Sequence, residues 1–111
     1  MNNVIDPPWC IIRDLNELAS PTEKRGGKRY PLSKFAQLNS FMDRINAISV
    51  PFTRYPFTWK KRMQAHLIYE RLDRAIIRND WANLYPDSIT KHGTFSCSDH
   101  CLIIFSVTNP I

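Results

Sequence analysis

The 111-residue sequence predicts a single α/β domain, one mixed sheet with an amphipathic helix packed on it. Short apolar runs without helical periodicity, closed by polar residues or breakers, read as strands. One stretch instead carries an apolar stripe at three- and four-residue spacing, the mark of a helix with a buried face. The length suits one small domain and is short for two. The boundaries fall at an extended lead-in 1–8, a domain 9–108 and a tail 109–111.

Asp6, Pro7 and Pro8 exclude helix at the start. Trp9, Cys10, Ile11 and Ile12 form an apolar run that stops at Arg13, Asp14, Leu15, Asn16 and Glu17. This reads as a buried strand delivering its last side chains to a sheet edge, where ligands sit in layered α/β folds. Asp14 and Asn16, two apart, point the same way from an extended backbone. A carboxylate and an amide aimed at one spot suit orienting a water and holding a phosphate oxygen. The plainer alternative is a strand followed by an Asx turn.

A loop over 20–29 follows, rich in breakers and positive charge, in which Gly26 and Gly27 permit unusual dihedrals or close approach to a ligand. Pro31 opens a helix of about four turns. Its apolar face carries Leu32, Phe35, Leu38, Phe41 or Met42, Ile45 and Ile48, and its polar face Lys34, Gln37, Asn39, Asp43 and Arg44. Residues 50–56 read as a connection, and Phe57, Thr58, Trp59 and Lys60 as a strand by residue type. Lys60, Lys61 and Arg62 then make a basic turn. Residues 67–77 look extended throughout, with Tyr69, Arg71, Asp73 and Ala75 on one face and Glu70, Leu72 and Arg74 on the other. Taken by itself, Asp73 between two arginines reads as a surface ion-pair ladder. Asn79 caps a short helix over 80–84 that Pro86 stops. A strand over 88–94, a small polar turn over 96–100 and a buried strand from Leu102 to Phe105 complete the chain.

A hydrophobic fraction of 43% excludes a disordered chain, and the net charge is +5. The positive charge is clustered at Lys24, Arg25, Lys28 and Arg29, at Lys60, Lys61 and Arg62, and at Arg71, Arg74 and Arg78. Such clustering favours a polyanionic partner, a nucleic acid or an acidic membrane surface, over a merely solvated basic face. No apolar run approaches a membrane span, so no membrane-spanning role is expected. Cys10, Cys97 and Cys101 are an odd number in a chain with no signal peptide, which points to a reduced intracellular compartment, nuclear or cytoplasmic.

An Asp-His pair, Asp99-His100, precedes one apolar run as Asp14 follows another. In order and spacing, Asp14-x-Asn16, Phe57-Thr58-Trp59, Arg71-Leu72-Asp73 and Ser98-Asp99-His100 resemble the C-terminal half of the endonuclease/exonuclease/phosphatase family, which includes deoxyribonuclease I, exonuclease III and abasic-site endonucleases. Glu17, Glu23-Lys24-Arg25-Gly26-Gly27, Glu70, Arg74 and Trp81 make 9–107 similar to the endonuclease domain of LINE-type (non-LTR) retrotransposons.

The resemblance implies half of a four-layered deoxyribonuclease I-like α/β sandwich and hydrolytic nicking of DNA. It gives Asp14 the attacking water, Asn16 that water and the scissile phosphate, and His100 the phosphate oxygens, with Asp73 orienting the ring. Asp99 lies beside Mg²⁺ (or Mn²⁺), and Lys24, Arg25, Lys28, Arg29, Trp59 and Arg71 contact DNA. The family domain is about twice this length, and its N-terminal half carries the opening Asn and the metal-binding Glu. The family's Gly-Asp-Phe-Asn reads Arg13-Asp14-Leu15-Asn16, placing a long cation where close packing is expected. The usual Pro after Ser-Asp-His-x is Leu102. These departures imply a truncated or decaying retroelement reading frame, inactive alone because Mg²⁺ is not held productively. They also imply an uncovered sheet face, open to self-association or docking. The rivals are a non-catalytic nucleic-acid-binding remnant, a zinc module from His92, Cys97, His100 and Cys101, and a phosphatase acting on inositol phosphates.

Overall fold

The computed structural model describes residues 6–95 and 98–107. In chain order the elements are β1 (Cys10–Asp14), a 3₁₀ turn (Pro21–Glu23), β2 (Lys24–Arg25), α1 (Leu32–Arg44), β3 (Ala47–Ser49) and β4 (Phe52–Thr53). β5 (Trp59–Met63), β6 (His66–Glu70), β7 (Asp73–Arg78), α2 (Asn79–Leu84), β8 (Ile89–His92) and β9 (Ile103–Ser106) follow. The fold is mixed α/β, mostly strands in open sheets with a helix.

The strands form three sheets of three among the described residues, where the sequence suggested one: β1-β7-β3, β2-β6-β5 and β4-β8-β9. The first two are antiparallel, and only the third is mixed, through the parallel pair β4·β8. The stretch read as continuously extended breaks at Arg71 and Leu72. There the Thr58 hydroxyl oxygen accepts the backbone N–H of Leu72 at 3.0 Å and of Asp73 at 2.9 Å. With those donors taken by a side chain, the ladder cannot continue, and the chain leaves one sheet for the next.

Strand β7 is the centre of the packing because alternate side chains enter two cores. Ile76 joins Leu38, Met42 and Ala47 beneath α1. Ala75 and Ile77 join Val50 on the other side, against Trp81 of α2 and Phe105 of β9. Leu18, Phe35 and Leu72 form a third cluster with Tyr30 and Trp59 packed on it. Phe35, Leu38 and Met42 are thus the buried face of α1, as their spacing requires. Leu32 lies outside that face and is 77% exposed, Phe41 is also exposed, and Ile48 belongs to β3.

Other expectations change for physical reasons. β1 is an edge strand, so Ile11 and Ile12 are exposed, Ile12 by 47%, where a buried strand was expected. The exposed apolar residues of this sheet lie on its edges, because β7 is covered on both faces. Arg13 is exposed on β1, so it displaces no close packing. Lys60, Lys61 and Arg62 run in β5, and the hairpin turn comes after Met63. β9 is half exposed, not buried. β4 falls within the expected connection, and the short helix is present as α2, but Asn79 is its first residue rather than its cap, and Arg78 stands at the N-cap without a side-chain cap hydrogen bond. Ser96, Cys97 and residues 108–111 lie outside the described residues. No described helix is long and apolar enough to cross a membrane.

A buried carboxylate ties the sheets together. Glu23 accepts from Arg74 Nη2 at 2.6 Å, from Arg71 Nη1 at 3.3 Å and from the Ala19 backbone N–H at 2.8 Å. Removing one partner of a buried pair strands the other charge, so Glu23→Ala is expected to cost about 3–5 kcal/mol in urea unfolding. A loss under about 1 kcal/mol, the scale of a surface pair, contradicts this.

His92 gives a second prediction. It is buried, stacked on Phe52, and donates from Nδ1 to the Tyr55 carbonyl at 2.6 Å. Burial pushes its imidazole below the ordinary 6.5, against the pull of that hydrogen bond. The folded chain therefore binds fewer protons than the unfolded one below that pH. This contribution to stability is intact above about pH 6.5 and is lost as pH falls through the depressed folded value. Unfolding midpoints at about pH 7.5 and about pH 5 should converge in His92→Gln relative to wild type.

Candidate active site

Three elements converge on one cleft. The β1·β7 register pairs Asp14 with Asp73, placing both carboxylates on the same face of the sheet at its end. The backbone of residues 99–101 docks on β5: Lys60 N–H donates to Asp99 O and Cys101 N–H to Thr58 O, both at 2.9 Å, with an isolated bridge between Trp59 and His100. The His100 imidazole is thereby delivered between the two carboxylates.

His100 Nδ1 lies 2.7 Å from Asp73 Oδ2, and Nε2 lies 3.8 Å from Asp14 Oδ2. A carboxylate only accepts, so Nδ1 carries the hydrogen and Nε2 faces Asp14 and the cleft. The Asp73 side chain is largely buried and Asp14 is exposed. Asp73 is also fixed from behind, since Thr58, fully buried, holds its backbone N–H. It therefore orients a ring rather than joining the expected ion-pair ladder. The arginines beside it turn to Glu23 instead.

Asn16 stands beside Asp14 by a route the sequence did not suggest. Its φ is 53°, and its backbone N–H donates to Asp14 Oδ1 at 2.8 Å. Strand and Asx turn are both present, and Asn16 reaches the cleft by turning, not along an extended backbone. The cleft, about 350 Å³, is lined by Asp14, Asn16, Glu17, Trp59 and His100, with Lys34 from the first turn of α1 and Tyr30 just before the helix. Glu17 Oε2 is buried and has no hydrogen-bond partner.

Asp14, Asp73 and His100 each offer a ligand atom within 4.8 Å of the others and are the metal-capable group among the described residues. Asp99 is exposed and stands outside that group. Of the expected zinc ligands, His92 is engaged with Tyr55 and stands outside the metal-capable group of the described residues, and Cys97 lies outside the described residues. Burial also raises the Cys101 thiol, away from the thiolate a zinc site requires.

The residues expected to bind DNA divide. Arg71 is committed: its guanidinium contacts Glu23 and the Pro56 carbonyl and covers the Phe52 ring. Lys24 is paired with Glu70 at 3.1 Å, with both side chains nearly buried. Arg25 lies over Phe57. Lys28 lines a second hollow with Lys61 and His66, which shares Tyr30, Trp59 and Glu70 with the cleft, and Arg29 lines another. Gly26 approaches β6 rather than a ligand, since a Cβ there would stand 2.5 Å from Leu67 O at φ 82°. Sequence reasoning left Tyr30 and Lys34 out of the site. Their distance from Asp14 in sequence hid them, and the helical stripe marked Lys34 only as polar surface.

Thr58→Val removes the acceptor for two backbone donors while keeping the side-chain shape. The expected loss is about 1–3 kcal/mol for each N–H left unsatisfied, with the His100 imidazole NMR signals broadened as Asp73 loosens. Unchanged stability and unchanged signals would show that Thr58 does not hold Asp73. Comparison of the chain with protein-family models, with curated proteins and with solved structures finds no match.

Proposed function

We propose that the cleft hydrolyses phosphodiesters in the manner of the endonuclease/exonuclease/phosphatase enzymes, with DNA as substrate and a nick of the retrotransposon type as product. The observation that carries the reading is the line Asp73–His100–Asp14, with Asn16 beside it. Asp73 fixes the ring through Nδ1–H, and with the second ring nitrogen also protonated, Nε2–H donates to a phosphate oxygen and stabilises the charge that grows there. Asp14 takes the proton of the attacking water or orients it, and Asn16 holds the water and the phosphate. A tightly bound third group orienting the central ring is the arrangement such chemistry needs.

A divalent ion fits the oxygen donors here. Mg²⁺ or Mn²⁺ is commonly held by one or two carboxylates with water and substrate phosphate, and Asp14, the exposed carboxylate of the group Asp14, Asp73 and His100, would hold it in that way. When bound, it would supply Lewis-acid stabilisation of the phosphate. His100 remains with the phosphate, since imidazole suits softer ions than Mg²⁺.

A non-catalytic nucleic-acid-binding reading is favoured by the neighbouring hollow, where Lys28 and Lys61 stand beside Trp59 and Tyr30. A supercoiled-plasmid nicking assay with Mg²⁺ and then Mn²⁺ separates the two. On this reading wild type nicks slowly, against the inactive fragment that the family resemblance implied, and nicking falls by about 100-fold or more in both Asp14→Ala and His100→Ala. Folded wild type that produces no Asp14-dependent nick overturns the catalytic reading and leaves binding alone.

A further inference from the structure

The cleft residues carry more negative charge than positive. Asp14, Glu17 and Glu70 line it, and among the described residues Lys34 is the one lysine or arginine that does. A phosphate entering beside Asp14 meets repulsion unless a cation receives it.

The surroundings of Lys34 set it up for that task. Its ammonium lies 4.9 Å from the Tyr30 ring centroid, and Lys24 lies 4.4 Å from the same centroid. Both distances are within cation–π range. The two lysines differ in one respect: Lys24 is neutralised by Glu70, whereas Lys34 forms no salt bridge among the described residues. The Tyr30 hydroxyl donates to the same Glu70 at 2.9 Å, which fixes the ring. Burial, then that hydrogen bond, raises the Tyr30 hydroxyl's pKa and keeps it a donor.

Lys34 also sits in the first turn of α1, the positive end of the helix dipole, where acidic side chains are the stabilising choice. That turn holds no acidic residue, and Pro31 provides no side-chain cap. A cation at this end of a helix is locally unfavourable, and a bound anion relieves both charges at once.

We propose that Lys34, seated on Tyr30, is a further phosphate-binding residue of the cleft, contacting one phosphate of a nucleic-acid strand engaged at His100. This rests on the nucleic-acid reading of the cleft and adds a contact to it. Lys34 is exposed on its helix, so substitution there leaves the core alone.

The test is fluorescence anisotropy of a short single-stranded DNA over a range of salt concentrations. Wild type is compared with Lys34→Gln, Lys34→Arg and a control, Lys91→Gln, at an exposed position of β8. One phosphate contact on a single strand contributes about 0.7 to the slope of log affinity against log salt. Lys34→Gln should lower the slope by about that amount and weaken binding several-fold, while Lys34→Arg and Lys91→Gln keep the wild-type slope. Wild-type binding with an unchanged slope in Lys34→Gln overturns the proposal and leaves the reading of the cleft standing. Absence of salt-dependent binding by wild type overturns the reading itself, and the proposal with it.

Discussion

One buried carboxylate sets the geometry of this fold. Glu23 reaches from a short 3₁₀ turn into the junction between β6 and β7, where it meets Arg71 and Arg74, and its own carbonyl accepts the Arg71 backbone N–H at 2.9 Å. Arg74 spreads the effect further, donating to the Arg71 carbonyl and to Ser49 of β3. Desolvating three charges is costly, and attraction between them offsets that cost only when the remaining donors and acceptors are also satisfied. Most are satisfied; Arg74 Nε, buried and without a hydrogen-bond partner, is the exception. The network specifies one arrangement of the loop over the junction.

That arrangement decides what Asp73 can do. It lies between two arginines in sequence, and a free Asp there would pair with them. Because Glu23 holds both, and Thr58 pins the backbone, the Asp73 carboxylate is left for His100. The same junction ends one sheet and begins the next, so the strand carrying Asp73 enters the core on both faces immediately afterwards. The packing and the candidate site therefore share one short segment. A rigid β7 supplies the precise support, while Asp14 on an exposed edge strand and His100 on a docked loop supply the groups open to solvent. Functional groups held on rigid elements and presented at a rim fit the usual division between scaffold and site.

The sequence made some of this legible and concealed the rest. The stripe Phe35, Leu38 and Met42 located α1, because helical periodicity reports a buried face directly. Asp14, Asn16, Asp73 and His100 were singled out at their positions, and the structure brings all four to one place. Their partners were hidden by distance: Glu23 lies about fifty positions from its arginines, and nothing local distinguishes an arginine bound to a carboxylate from one free to bind DNA. Nothing in the sequence therefore signalled that Arg71 is engaged by Glu23. Lys60, Lys61 and Arg62 were taken for a turn because charge at a hairpin end imitates loop composition. Lys34 was passed over because a lysine on a polar helix face is ordinary until the fold shows what that face overlooks. The break at Leu72 depends on Thr58, fourteen residues away, and alternation could not reveal it.

The claim on which the rest depends is that Asp73 holds His100 with Nε2 directed at the cleft. Long-range ¹H–¹⁵N correlation of the His100 imidazole reads this directly, in wild type and in Asp73→Asn. The expected result is a proton on Nδ1, shifted downfield by the hydrogen bond and lost in the variant. A neutral ring protonated only on Nε2, or signals indifferent to Asp73→Asn, would contradict the arrangement and remove the basis for phosphodiester chemistry in this cleft.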